Sequence, residues 1–328
     1  MTLVVITDSD LPSAGVEEAL LGAAGIDVER AACRTSADVA EAGAEADALI
    51  VQLAPVDAAA LARMPRLRFI SRLGIGYDMI DVDAASERGV AVANTPDYCV
   101  EEVVAHTLAL VLAGVRGVVV ADRQVRAGGW AVTELAPPAR RPSRLTLGVL
   151  GLGRIGSLVA AQARALGFRV LAHDPAQPGS SVPLDELLAA ADVLTLHLPL
   201  TPETHHLIDA AALARMRRGA IVVNTSRGSL IDEAALAEAL RSGQVAGAAL
   251  DVYEQEPLPL DSPLRELPGV ILSPHAAWYS PEALTDLPRL ATQQVIEFLA
   301  GAAVPNVVNA APAAHGPPDA GAPAPATH

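Results

Sequence analysis

Residues 145–156 read Leu-Thr-Leu-Gly-Val-Leu-Gly-Leu-Gly-Arg-Ile-Gly. The run Leu145 to Leu150 is short and apolar, as a buried parallel strand requires. Beyond it, Ile155, Leu158, Val159, Ala163 and Leu166 recur at helical spacing. A strand, a glycine-rich turn and a helix in that order form a dinucleotide-binding fingerprint. Gly151 permits the tight turn, Gly153 lets backbone approach a pyrophosphate, and Gly156 lets helix and strand pack closely. Arg154 and Ile155 complete the loop, and free N–H groups at the helix start would hold the phosphates. Three spaced glycines alone also fit an ordinary βα turn. Here a second strand, Phe168 to His173, ends in Asp174, 18 positions after Gly156. An acidic side chain there can bind both hydroxyls of an adenosine ribose and repel a 2′-phosphate. No arginine follows at once to neutralise such a phosphate, so NAD is expected over NADP.

Composition narrows the alternatives. The 328 residues are 51% hydrophobic, enough to bury two cores. No apolar run approaches the roughly 18 residues of a membrane span, so no membrane association is expected. The chain opens on a strand-like Leu3-Val-Val-Ile6 with no basic leader. Cys33 and Cys99 lie far apart without a C-x-x-C, which suits a reducing cytoplasm and argues against a structural zinc; no metal is expected. A net charge of −15 disfavours direct binding of nucleic acid. All 23 basic residues are arginine, so Schiff-base and P-loop lysine chemistry are excluded.

Outward from the fingerprint, strands alternate with helical stretches on both sides. The first unit is expected to hold strands at 3–7, 27–31, 48–53, 67–73 and 90–93. The second is expected to hold strands at 145–150, 168–173, 192–197, 219–224, 246–250 and 270–273. Helices near 154–166, 183–190, 208–216 and 232–242 fall between the later strands. This is an α/β chain of two doubly wound parallel-sheet domains, Rossmann- or flavodoxin-like. The expected division is residues 1–97 with 283–309, then 98–282, then a disordered tail of Ala, Pro, Gly and His over 310–328. A largely apolar helix is expected from Tyr98 to about Val120, followed by an extended arm over 121–144. Trp130 in that arm reads either as an anchor at a subunit contact or as part of a surface excursion. A helix over roughly 281–301 returns the chain to the first unit.

Ligands of open α/β sheets gather at the carboxyl ends of strands. In the first unit that position holds Arg72, Gly74, Ile75 and Gly76. They can grip a small anion through backbone N–H groups and a guanidinium, or simply form a tight turn beside a solvated arginine. In the second unit three polar spots follow strands: Asn224-Thr-Ser-Arg-Gly228, Asp251-Val-Tyr-Glu-Gln-Glu256 and Ser273-Pro-His-Ala-Ala-Trp278. Hydride transfer to a ketone needs a proton donor, which His275 can be. Glu256 can fix its tautomer, and Arg227 can hold a carboxylate at two points and polarise the carbonyl.

Gly-Leu-Gly-Arg-Ile-Gly, Asn-Thr-Ser-Arg-Gly, Ala-Leu-Asp-Val-Tyr-Glu-Gln-Glu-Pro and Ser-Pro-His-Ala-Ala-Trp occur here in one order. In these motifs the chain resembles the D-isomer-specific 2-hydroxyacid dehydrogenases over residues 1–309. The resemblance implies an active site in the cleft between the domains and catalytic roles for Arg227, Glu256 and His275. It implies that Asp251 holds the nicotinamide carboxamide, with Thr225 and Ser226 also on the cofactor side. It matches Leu198-Pro199-Leu-Thr-Pro-Glu-Thr204 to a loop over the adenosine. Arg72, His205-His206 and the stretch around Trp278 further resemble the C-terminal-binding-protein branch, which implies that Arg72 and Trp278 line the substrate pocket. Ala105 departs from the family, many members having Glu there, and no regulatory domain is expected after this sequence.

The expected function is therefore a cytoplasmic, homodimeric, NAD-dependent dehydrogenase of a small D-2-hydroxy acid or 2-keto acid. The alternatives are an NAD(H)-sensing, corepressor-like interaction protein, or an enzyme that oxidises an inorganic oxyanion such as phosphite.

Overall fold

A computed structural model describes residues 2–12, 15–135, 138–177, 179 and 181–309. The tail expected over 310–328 lies outside the described residues. The chain divides into two compact units, one holding the residues up to Tyr98 with those from Pro281, the other Cys99–Ser280.

The first unit runs β1 (Leu3–Ile6), α1 (Val16–Ala23), β2 (Asp27–Arg30), α2 (Ser36–Ala42) and β3 (Ala48–Val51). It continues with α3 (Ala58–Ala62), β4 (Phe69–Arg72), α4 (Val82–Glu87) and β5 (Ala91–Ala93). The second opens with α5 (Val100–Arg116) and α6 (Val118–Arg126). Then come β6 (Thr146–Leu150), α7 (Arg154–Ala165), β7 (Arg169–His173), α8 (Leu184–Ala190) and β8 (Val193–Leu196). The unit closes with α9 (Ala210–Arg215), β9 (Ala220–Asn224), α10 (Glu233–Arg241), β10 (Val245–Leu250) and β11 (Val270–Leu272). Helix α11 (Pro281–Leu299) belongs to the first unit.

Both sheets are parallel throughout, in the orders β2-β1-β3-β4-β5 and β11-β10-β9-β8-β6-β7. Counted from its own first strand, each sheet begins 2-1-3-4-5, the flavodoxin-like order. Parallel strands buried on both faces carry apolar residues at every position rather than at alternate ones. In β3, Leu49 and Val51 enter one core cluster while Ala48 and Ile50 enter the other. In β9, Ile221 and Val223 face one cluster while Ala220 and Val222 face its opposite. Each large aliphatic side chain so buried contributes about 1.5–3 kcal/mol.

One electrostatic device is used in both units. Asp47 precedes β3 and accepts from Leu3 N–H at 2.9 Å and the Arg66 guanidinium at 2.8 Å. Asp192 precedes β8 and accepts from Thr146 N–H at 2.8 Å, Arg140 at 3.0 Å and Arg217 at 3.3 Å. Each carboxylate thus locks the amino-terminal edge of its sheet, leaving the carboxyl edge for ligands.

Two expectations need correction. The helix expected to run unbroken from Tyr98 to about Val120 is two helices, bent by 63° at Gly117, whose φ is +63°. Glycine adopts that left-handed backbone without penalty, so it ends α5 and starts α6. The arm expected to be extended from 121 is helical as far as Arg126, and two short 3₁₀ turns follow. Trp130 in that arm is 89% exposed within the chain. Among the described residues no single helix is long and apolar enough to cross a membrane.

Candidate active site

The fingerprint loop has the geometry its residue types require. Gly151 has φ +98°, and a Cβ there would lie 2.6 Å from the His197 carbonyl oxygen. A Cβ on Gly156 would lie 2.0 Å from the Gly151 carbonyl oxygen, so α7 and the turn approach too closely for a side chain. A Cβ on Gly153 would meet nothing within 4 Å, which leaves that backbone open to a ligand. Gly153 caps α7 with no side-chain hydrogen bond, so the first-turn N–H groups have no capping side chain. A bare, uncapped helix start behind a glycine cradle fits a dinucleotide pyrophosphate. Arg154 is exposed and Ile155 half-buried at that helix start.

Asp174 is buried where β7 ends. Its Oδ2 accepts from Leu152 N–H at 2.7 Å and its Oδ1 from Ala176 N–H at 2.8 Å. The carboxylate is therefore tied to the fingerprint loop itself. Leu198 is buried and Pro199 exposed, and Thr204 Oγ1 donates to the Pro199 carbonyl at 2.7 Å. Ser226 Oγ donates to the Leu198 carbonyl at 2.7 Å, and Thr225 Oγ1 pairs with Thr107 Oγ1 at 2.8 Å. His197 escaped the sequence reading although it too closes a strand. Burial pushes its imidazole down to about 4, so it is neutral near pH 7.

The three polar spots converge. Gly228 sits so close to the next loop that a Cβ would fall 1.8 Å from the Tyr253 carbonyl carbon. That contact holds the Arg227 loop against the segment leading to Glu256. Tyr253 N–H donates to Glu256 Oε1 at 3.0 Å, and His275 Nδ1 bonds Glu256 Oε2 at 2.7 Å. Burial pushes the Glu256 carboxyl up. The His275 hydrogen bond and charge, the Tyr253 N–H and the Arg227 charge outweigh it, so the group lies below its ordinary value. Glu256 is therefore an anion bonded to His275 Nδ1. Tyr253 Oη lies 3.0 Å from the Leu250 carbonyl and 2.9 Å from the Ser273 carbonyl, which share its one proton; burial, then the Asp251 charge, pushes its phenol up to about 12.

Asp251 is wholly buried at the end of β10. Its Oδ1 accepts from Ser273 Oγ at 2.6 Å and Ala276 N–H at 2.9 Å, and its Oδ2 from Ala277 N–H at 2.8 Å. Its carbonyl accepts His275 N–H at 2.8 Å. His275 has φ +52°, an uncommon backbone outside glycine, and the Asp251 contacts hold it there. The Trp278 ring meets Tyr279 edge to face at 5.9 Å. Ser273 was quoted in the sequence only as the start of its motif, and His106, also within this network, was missed.

In the first unit Arg72 is only 7% exposed, and a Cβ on Gly74 would lie 2.1 Å from its Nη1. The guanidinium therefore lies over Gly74, whose φ is +144°. Thr95 Oγ1 donates to the Arg72 carbonyl at 2.9 Å and Asn94 Nδ2 to the Ile75 carbonyl at 2.7 Å, while Gly76 follows in the same loop. Among the described residues no group of three His, Cys, Asp or Glu is arranged to hold a metal ion.

The sequence profile of the D-isomer specific 2-hydroxyacid dehydrogenases, NAD binding domain, matches residues 108–277. The chain belongs to this family. Glyoxylate reductase of Korarchaeum cryptofilum is 42% identical over 282 residues, 81% of this chain and 83% of that one. D-3-phosphoglycerate dehydrogenase of Mycobacterium leprae is 45% identical over 274 residues; the match covers 81% of this chain and only 51% of the relative. D-lactate dehydrogenase of Aquifex aeolicus, solved with NAD and lactic acid, superposes with a TM-score of 0.80 at 29% identity. That match covers 92% of this chain and 96% of the other. Family membership makes the chain an NAD-binding oxidoreductase with two parallel-sheet domains.

Proposed function

We propose that the protein interconverts a small 2-keto acid and its D-2-hydroxy acid. The observation that carries this reading is the 2.7 Å bond from His275 Nδ1 to Glu256, under the influence of the Arg227 charge. Bound nicotinamide would supply or accept the hydride at C2. His275 Nε2 would give the carbonyl oxygen its proton, and Glu256 would hold the ring and offset the imidazolium charge. Arg227 would grip the substrate carboxylate and polarise the ketone, and Arg72 with the 74–76 backbone offers an anion grip within the first unit. Trp278 would give the substrate's side chain an apolar wall. A panel of 2-keto acids followed by NADH oxidation tests the reading; loss of NADH absorbance with none of them would refute it. The names of the relatives lend no support to a corepressor-like role, which rests on motif resemblance alone.

With this reading goes a preference for NADH. Asp174 would meet the adenosine ribose with a carboxylate, so kcat/KM should favour NADH over NADPH by at least about tenfold, roughly 1.4 kcal/mol. Asp174→Ala should narrow the gap, and equal efficiencies in the wild type would remove Asp174 from this role.

A cytoplasmic homodimer is part of the same proposal; the dimer is supported by the exposed apolar residues Val118, Val125, Trp130 and Val132 on α6 and the segment after it. Light scattering of the active protein should give twice the 33.7 kDa chain mass. An active monomer would exclude it.

The depressed pKa of Glu256 has a sign that can be measured. Such a carboxylate stabilises the fold fully above its ordinary value of 4.5 and loses that contribution as pH falls through its lower folded value. Thermal unfolding should therefore show a gap between wild type and Glu256→Gln that is present above the ordinary value of 4.5. The gap should shrink on further acidification. A gap that widens there would contradict the assignment.

A further inference from the structure

Helix α5 touches the loops of both proposed catalytic groups through consecutive residues. Thr107 Oγ1 pairs with Thr225 at 2.8 Å, two residues before Arg227. His106 Nε2 lies 3.2 Å from Ser273 Oγ and 3.6 Å from Asp251 Oδ1, two residues before His275. One turn earlier, Glu102 Oε1 accepts from Ser280 Oγ at 2.6 Å, which secures the far end of the His275 segment.

The direction of the hydrogen bonds follows from donor counting. Ser273 has a single hydroxyl proton, and it goes to Asp251 Oδ1 at 2.6 Å. The oxygen of Ser273 can then only accept from His106, so Nε2 of His106 carries a proton and donates it. The chain runs from His106 to Ser273 to the Asp251 carboxylate, which holds the N–H groups of Ala276 and Ala277, the residues directly after His275, while the Asp251 backbone carbonyl accepts the His275 N–H. His275 needs this hold because its φ of +52° is unfavourable for a side-chain-bearing residue.

We propose that His106 is a positioning residue for His275, acting through Ser273 and the buried Asp251 carboxylate. Donors linked in series polarise one another in a low-dielectric interior, so removal of the first weakens the grip of the last. The proposal rests on the reductase reading for its kinetic consequences but not for its structural ones.

The test uses the full-length protein with His106→Leu, His106→Gln and Ser273→Ala. Glutamine places an amide donor near the position of Nε2, while leucine keeps bulk without a donor. His106→Leu should lower kcat about tenfold with NADH affinity unchanged, and His106→Gln should restore most of it. Ser273→Ala should match His106→Leu, and the double variant should be no worse than either, since both cut one chain. At fixed pH, the His275 ring resonances, identified by their absence in His275→Asn, should move in His106→Leu and return in His106→Gln. A His106→Leu protein with wild-type kcat and unmoved His275 resonances would overturn the proposal. So would additive losses in the double variant, or a glutamine variant as impaired as leucine. If no keto acid is reduced by the wild type, the resonance shifts still decide the positioning role, while the reductase reading fails by itself.

Discussion

His275→Ala is expected to lower kcat by about 10²–10⁴-fold, the usual worth of a positioned proton donor. The imidazole is bonded through Nδ1 to an anionic Glu256, so Nε2 is the nitrogen that can face a substrate oxygen. NADH affinity should change little, because the proposed pyrophosphate and ribose contacts lie at Gly151–Gly156 and Asp174, on other strand ends. Pre-steady-state oxidation of bound NADH with the best keto acid isolates the chemical step. A step as fast as in the wild type would sink the acid–base role and leave only a binding function for this loop.

Arg227→Ala is expected to lower kcat/KM by about 10²–10³-fold, as removal of an electrostatic donor at a developing oxyanion does. Arg227→Lys should recover less than tenfold of that loss. An ammonium is a single point of charge and cannot grip a carboxylate at two points while facing the adjacent ketone. The position leaves no slack for compensation, because Gly228 abuts the Tyr253 and Glu254 backbone and fixes where the side chain starts. Steady-state kinetics of both variants against one keto acid decides the matter; a lysine variant within threefold of wild type would show that charge alone suffices.

Several features were legible in the chain because they are local. Each buried strand is a short apolar run bounded by turn residues, and parallel pairing requires it to be apolar on both faces. The fingerprint glycines are legible for the same reason, since a tight turn and a close helix approach each tolerate no side chain. Polar residues that close apolar strands mark the carboxyl edge, which is how Arg227, Asp251, Glu256 and His275 could be singled out. His197 obeys the same rule and was overlooked. The break at Gly117 was hidden inside an apolar stretch whose composition is equally good for one helix or two; only the positive φ of that glycine reveals the bend.

What the sequence by itself determined is therefore the two α/β units, the dinucleotide turn, and the chemical types at each strand end. The tertiary structure decided which of those groups cooperate. Glu256 and His275 are 19 positions apart, and their 2.7 Å bond exists because β10 and β11 are neighbours in one sheet. Asp251 closes β10 in the sequence, and the fold brings both its carboxylate oxygens to the loop that carries His275. His106 lies 167 positions from Ser273 and has no local signal of partnership. Local propensity acts within a turn or a strand, but a hydrogen bond depends on distances of a few tenths of an ångström. Those distances are set by how helices seat on sheets, and that is a property of the packed core rather than of any segment alone.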